Sequence, residues 1–423
     1  MSRPRGFVVV TGSELVRGDR QDLDGPFLAT ELLRLGVEPA RISIVGDDPA
    51  ELETALREGL EADLCLVSGG LGPTHDDRTV ELVARVLGRE LLVDDGLEAE
   101  IEAISRSFAE RQRRPYADFA EGVRKQATLP SGALVLGIAG TAPGLAMATE
   151  RGAVVVLPGP PRELQRLWPR ALETEPVRAV LARAREPERR VLRFYGASES
   201  EIARALAESG GEGDGVTATI CAREFEIHLD LFVDEEGRAR ADELSEALVE
   251  RVGQYLFAED ERPVEELVLD ACRKQGLTLA TAESCTGGLV AARLTSVAGS
   301  SDVFVGGVIS YSNELKMREL GVAEEMLERH GAVSAEVAAA MAAGARDRLG
   351  ADVAVSVTGV AGPGGGTAEK PVGLVYLHAE GPSGSVARDL DLPGERGAIR
   401  GRATVAALHL LRTLLTRRRD EDV

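Results

Sequence analysis

From residue 7 onward, short apolar runs alternate with stretches whose apolar residues recur every three or four positions. Residues 7–10, 41–45 and 63–67 read as strands, and 27–35 and 50–60 as helices. Such alternation predicts a parallel sheet covered on both faces. In sheets of that kind, ligands gather at the carboxyl ends of the strands. The polar and glycine-rich residues fall there: Thr11-Gly-Ser-Glu14, Gly46-Asp-Asp48 and the loop 68–77. Further strands around Leu134, Leu145 and 153–157 close this region at Pro158-Gly-Pro-Pro161.

The pattern changes near residue 170. Residues 189–195 read as a strand, 198–208 as a helix, 224–233 as a half-exposed strand and 235–252 as a charged amphipathic helix. A small α+β module is expected. Its Gly210-Gly-Glu-Gly213 turn has the spacing of a nucleic-acid-binding G-x-x-G loop, but Glu212 and Asp214 repel phosphate, so a plain helix–strand connection is expected. A third region starts at Pro263, whose ring suits a helix N-terminus, and alternates again up to a long helix over 396–415. The tail 416–423 reads as a solvated helix end whose arginines complement the helix dipole. The expected modules are 1–168, 169–260 and 261–423.

Three segments of the third region carry chemistry. Thr281-Ala-Glu-Ser-Cys-Thr-Gly-Gly288 lies between a strand-like run and a helix-like one, so Ser284 and Cys285 sit on a strand-to-helix turn. There a nucleophile meets open space, and the free N–H groups of the helix point at what it attacks. Tyr311-Ser-Asn-Glu-Leu-Lys316 puts a lysine in the first turn of another helix. The helix dipole there favours the neutral amine, which can take a proton from serine. Thr358-Gly-Val-Ala-Gly-Pro-Gly-Gly-Gly366 is a glycine-rich loop able to offer amides to a phosphate, and Arg396 and Arg400 open the last helix where they could clamp the same anion. Each has a bland reading: a helix cap for Ser284, a small buried hydrophobe for Cys285, a surface turn, and two surface charges. Together they suggest a hydrolase acting on a phosphorylated small molecule.

In the first region Glu14, Asp47, Asp76 and Asp77 lie at successive strand ends beside Gly69-Gly-Leu-Gly72. Carboxylates converging beside phosphate-cradling amides repel one another unless a divalent cation sits between them. Metal-assisted attack of water on a pyrophosphate is the expected chemistry. Turn formation and helix capping are the alternative for Asp47 and Asp77.

Composition narrows the classes. Lys and Arg number 49 against 70 Asp and Glu, a net charge of −21, which disfavours broad nucleic-acid binding. The four cysteines are scattered, without a C-x-x-C pair, and support neither a disulfide framework nor a zinc site. No signal-peptide core and no membrane-length apolar stretch is read, so a cytoplasmic protein without a membrane partner is expected.

These motifs resemble the CinA (competence/damage-inducible) family over nearly the whole chain. The carriers in the third region are the segments above with Lys370-Pro-Val-Gly373 and Gly394-Glu-Arg396. The resemblance implies an α/β C-terminal domain of the nicotinamide-nucleotide amidohydrolases, which deamidate nicotinamide mononucleotide without a cofactor. It implies Ser284 as nucleophile, Lys316 as base and Tyr311 assisting. It implies substrate contacts from Thr286, Gly287, Gly288, Asn313, Thr358, Gly359, Gly362, Arg396 and Arg400. The first region resembles the three-layer molybdopterin-binding fold through Gly12-Ser-Glu-Leu15, Val45-Gly-Asp47, the 69–79 stretch, Gly140-Thr-Ala-Pro-Gly144 and Leu157-Pro-Gly159. That implies an ADP-ribose pyrophosphatase. Glu14, Asp24, Gly69, Gly70 and Gly72 would bind substrate, with catalysis by Asp47 and Asp77. A divalent metal (Mg, Mn or Co, possibly with K+) would be held by Asp47, Asp76 and Asp77. Asp24 and Gly137 stand where the family usually has Asn. The middle region, with Ala197-Ser-Glu-Ser-Glu-Ile202, resembles the family's KH-like connector. A homodimer without direct nucleic-acid contact is implied. Two rival readings stand beside this one: an active deamidase with a catalytically silent N-terminal domain used for ligand sensing or dimerisation, and a non-enzymatic interaction protein.

Overall fold

The computed structural model describes residues 3–185 and 188–417; the tail read as a solvated helix end lies outside them from residue 418 onward. The chain divides into two compact units, Met1–Pro187 and Glu188–Val423.

The first unit is built on a six-stranded sheet. Its strands are β1 (Arg5–Thr11), β2 (Glu38–Val45), β3 (Leu64–Ser68), β6 (Leu134–Ala139), β7 (Ala142–Ala148) and β8 (Ala153–Leu157), ordered β2-β1-β3-β8-β7-β6. A separate short pair joins β4 (Leu91–Val93) to β5 (Thr128–Pro130). β1, β3 and β8 are buried nearly throughout, as expected of strands covered on both faces. One core cluster carries Val9, Cys65, Val67 and Val154; the other carries Val8, Val10, Leu66 and Val155. Period-two alternation thus sends neighbouring residues into opposite layers.

Two expectations need correction here. The sheet is not wholly parallel: β7 runs antiparallel to both β6 and β8. Only Gly140 and Thr141 separate β6 from β7, and so short a connection closes a hairpin but never a crossover. The expected boundary at 168 falls inside the helix Pro161–Leu172, whose Leu164, Leu167, Trp168 and Ala171 complete the second cluster.

The second unit holds two modules. The smaller is a four-stranded sheet ordered β10-β11-β9-β12, with β9 at Glu188–Phe194, β10 at Val216–Arg223, β11 at Glu226–Val233 and β12 at Leu256–Ala258. The helices Glu199–Glu208 and Arg238–Val252 cover one face. The first opens with a capping box between Ser198 and Glu201. Gly210–Gly213 is the connection between that helix and β10, as the sequence suggests. The larger module has five strands ordered β14-β13-β15-β16-β17, namely β13 (Leu279–Glu283), β14 (Phe304–Ile309), β15 (Val353–Gly359), β16 (Leu374–Gly381) and β17 (Gly384–Asp391). β13 lies between β14 and β15 and is parallel to both. The helix Arg396–Thr416 packs its Ile399, Ala403, Ala407 and Leu411 into the same core as β13 and β15.

The two modules of this unit touch at the β10–β11 turn. Glu224 and Phe225 have left-handed backbones, with φ of 51° and 69°. The Phe225 ring lies against Gly401, where an added Cβ would fall 2.6 Å from it, and the Arg402 guanidinium stands 4.7 Å over the ring. Nearby, His409 bonds Glu226 at 2.7 Å and stacks on Tyr195. No helix among the described residues is long and apolar enough to cross a membrane.

Candidate active sites

β13 ends at Glu283, and the chain turns through Ser284–Gly288 into the helix Leu289–Ser296. Gly287 and Gly288 take φ of 61° and 97°, which β-carbon-bearing residues rarely adopt, so the glycines let the turn close. Ser284 anchors the turn through its amide, which donates to the Val357 carbonyl at 2.9 Å. Arg400 holds the other side: Nε donates to the Cys285 carbonyl at 3.1 Å and Nη2 to that of Thr286 at 2.7 Å.

Lys316 comes from the helix Asn313–Leu320, capped by the Ser312 hydroxyl on the Leu315 amide. Its side chain is 1% exposed. Nζ lies 3.0 Å from Ser284 Oγ and donates to the Ser310 carbonyl at 2.7 Å. The Nζ partners given by the structure are these two oxygens, neither of them a carboxylate. Burial therefore lowers the Lys316 amine to about 8. Desolvation is the dominant influence, in keeping with the residue's place in a closed pocket. Cys285 moves the opposite way: burial pushes its thiol up to about 11. A thiol so rarely ionised is a poor nucleophile, whereas Ser284 has an amine in contact.

Other expected contacts fall out differently. Three amides at the helix start are already taken. The buried Glu283 carboxylate accepts from Gly288 at 2.9 Å, Val290 at 3.1 Å and Ala291 at 2.9 Å. Arg400 Nε and Nη2 are engaged by the two turn carbonyls. Arg396 links Gly362, whose carbonyl accepts at 2.6 Å, to the Tyr311 hydroxyl at 2.9 Å. Tyr311 is 60% exposed and Asn313 is exposed, neither bonded to Ser284. The Thr358 hydroxyl is spent on the Ala332 carbonyl at 2.7 Å, at the edge of the site beside Gly359. Thr286 is fully buried with an unpartnered Oγ1, and so is Ser310 with its Oγ. Glu283 lies inside the 281–288 segment without a role read for it, and Ser310 lies just before the 311–316 segment. Only their burial reveals them.

The first unit has a cavity of about 630 Å³ at the carboxyl ends of β1, β2 and β3. Glu14, Asp24, Asp47, Asp76, Asp77 and the Gly69, Gly70 and Gly72 backbone all line it. Gly69 has φ +99, and a Cβ there would meet the Thr11 carbonyl at 2.5 Å, so the loop packs directly on β1. Asp47 Oδ2 accepts from the Ser13 amide at 3.1 Å, and Ser13 Oγ accepts from the Asp47 amide at 3.2 Å. The helix cap next door is Asp48, not Asp47. Asp77 accepts from the Thr74 amide at 3.0 Å, and the Thr74 hydroxyl bonds Asp76 and Asp77. Among the described residues no three His, Cys, Asp or Glu side chains stand close enough to form a complete metal site by themselves. Asp47 and Asp77 both line the cavity, and a cation of the magnesium type takes one or two carboxylates and draws its other ligands from substrate phosphates and water.

Asp24 opens the helix Asp24–Arg34 and is 4% exposed. Burial raises its carboxyl to about 6, against the Ser68 hydroxyl, which donates to Oδ2 at 2.6 Å and favours the charged form. Gly137 lies outside the cavity lining. Its φ is +103, and Arg170 Nη1 fills the place a Cβ would take, so an Asn there meets both strain and a collision.

Comparison with known proteins covers every module. Residues 261–415 match the CinA C-terminal domain, 189–258 the damage-inducible protein CinA KH domain, and 7–176 the probable molybdopterin binding domain. A CinA-like protein of Mycolicibacterium paratuberculosis is 46% identical over 97% of this chain and 98% of its own length. One of Mycobacterium tuberculosis is 45% identical over 97% of each. The solved competence/damage inducible protein CihA of Agrobacterium tumefaciens is 43% identical, with a TM-score of 0.35, covering 37% of this chain and 99% of that one.

Proposed function

Since the chain belongs to the CinA family, we propose that its C-terminal module is a serine amidohydrolase that deamidates nicotinamide mononucleotide. The observation that carries this reading is the contact of Lys316 Nζ with Ser284 Oγ at 3.0 Å. The neutral amine takes the Ser284 proton as Oγ adds to the carboxamide carbon. The resulting ammonium returns that proton to the departing nitrogen, and ammonia leaves. Water then adds to the acyl-enzyme, giving its proton to Lys316. Collapse releases the carboxylate, and the Lys316 proton returns to Ser284. Purified protein incubated with nicotinamide mononucleotide should release one ammonia per nicotinate mononucleotide. Absence of ammonia across pH 7 to 9 overturns this reading.

We propose for the acid-lined cavity the hydrolysis of ADP-ribose to AMP and ribose 5-phosphate. What supports it is that Asp47 and Asp77 line one cavity with the Gly69–Gly72 backbone. A divalent cation held by these two carboxylates would supply neutralisation of the pyrophosphate charge. The glycine amides would hold phosphate oxygens. The test is AMP formation from ADP-ribose with magnesium, manganese or cobalt; binding without turnover in all three points to a sensor.

A further inference from the structure

Asp24 presents a problem that its neighbours leave unsolved. The residue is 96% buried, yet it lines the cavity. Its Oδ2 takes the Ser68 hydroxyl, whose single proton is thereby used. Its Oδ1 is buried without any partner. The ordinary duty of an acid at a helix start is to cap the first amides. Here Asp22 does that, accepting from the Asp24 amide at 2.9 Å and the Gly25 amide at 3.1 Å. A buried carboxylate oxygen left unpaired destabilises the folded protein until something donates to it.

The surroundings say what that donor is. Ser68 directly precedes the Gly69–Gly72 loop, so Asp24 sits at the root of the segment whose amides suit a phosphate. The group next to a phosphate in a nucleotide is a sugar, and its hydroxyls are the nearest donors along the ligand. Oδ1 accepts from a hydroxyl and repels a further phosphate, with little water between to screen the charge.

We infer that Asp24 selects the ligand of the N-terminal cavity, accepting a sugar hydroxyl and refusing a phosphate at the same place. The inference rests on the nucleotide reading of this cavity and deepens it: the site takes a nucleoside diphosphate sugar in preference to pyrophosphate alone.

Titration calorimetry on the full chain at pH 8, with excess chelator so that ADP-ribose binds without being hydrolysed, tests it with two probes, ADP-ribose and inorganic pyrophosphate. Asp24→Ala loses the acceptor, so the preference for ADP-ribose over pyrophosphate should fall by about tenfold or more. Asp24→Asn keeps the shape. With Ser68 donating to its oxygen, an amide N–H donor takes the place of the Oδ1 acceptor, so pyrophosphate should bind more tightly and the preference should again fall. This variant decides the matter if the alanine protein does not fold. A preference within twofold of the wild type in the folded variants overturns the role of Asp24 alone. Failure of the wild-type protein to bind ADP-ribose overturns the nucleotide reading and the inference with it.

Discussion

Lys316 Nζ stands between Ser284 Oγ at 3.0 Å and the Ser310 carbonyl at 2.7 Å. In the neutral amine, one N–H satisfies the carbonyl, and this directs the lone pair toward the serine hydroxyl. The carbonyl therefore orients the base, and the hydroxyl receives its attention.

The nucleophile follows from that contact. Ser284→Ala should lower deamidation by on the order of 10⁴-fold or more. Cys285→Ala should keep most of the activity, because the thiol at about 11 is protonated at working pH. Ammonia release by the two variants decides the assignment, and the reverse ranking would sink it.

The pH profile should report the base. Lys316 is active when neutral, and its amine titrates at about 8. The rate constant kcat/KM should therefore rise with pH and level off above about 8. Lys316→Arg holds its proton throughout and should be nearly as inactive as Lys316→Ala. A working arginine variant would show an electrostatic role only.

The same burial has a stability signature. Below about pH 8 the folded protein holds a buried ammonium whose usual value is 10.5, so the folded state is disfavoured there. As pH rises from about 8 to 10.5, the unfolded chain binds more protons than the folded one and that penalty disappears. Lys316→Met, similar in length and neutral, should unfold at a higher temperature at pH 7. Its advantage should shrink across that window. Calorimetric scans at pH 7 and pH 10 measure both ends.

Arg400 should behave as a positioning residue. It grips the carbonyls of Cys285 and Thr286 from within the protein. Arg400→Ala should reduce kcat by on the order of 10²-fold with a smaller change in KM, since misplacing the turn disturbs attack more than binding. A large rise in KM at unchanged kcat would instead identify a phosphate clamp.

The two proposed activities should separate under a chelator. Excess chelator should stop ADP-ribose hydrolysis and leave deamidation unchanged. Asp77→Asn should cut the first by on the order of 10²-fold or more and spare the second. Loss of both activities to the chelator contradicts a metal-free serine mechanism.

Which features could be read from the residues follows from range. Ser284 and Lys316 were legible because local signals place them: an apolar run, two glycines, then helical periodicity. The capping of the Leu289–Ser296 helix by Glu283 was not, because a buried acid at a strand end reads like any other strand residue. The antiparallel β7 was missed since apolar runs carry no direction. Arg400 looked like a free cation because its partners lie 115 and 114 residues away. Asp24 was noticed through an unusual residue at a familiar position, yet its orphaned oxygen appears only once the neighbouring strands close over it.

The meeting of Phe225 with Gly401 also constrains how this chain changes over time. An alanine at 401 puts a methyl 2.6 Å from the ring, so it becomes acceptable only after residue 225 shrinks or shifts. The order of the two substitutions then matters. A recombinant that imports a foreign β10–β11 turn beside the resident long helix inherits half of a matched pair. The small middle module and the C-terminal module of this protein are thus expected to be exchanged together, as one heritable block.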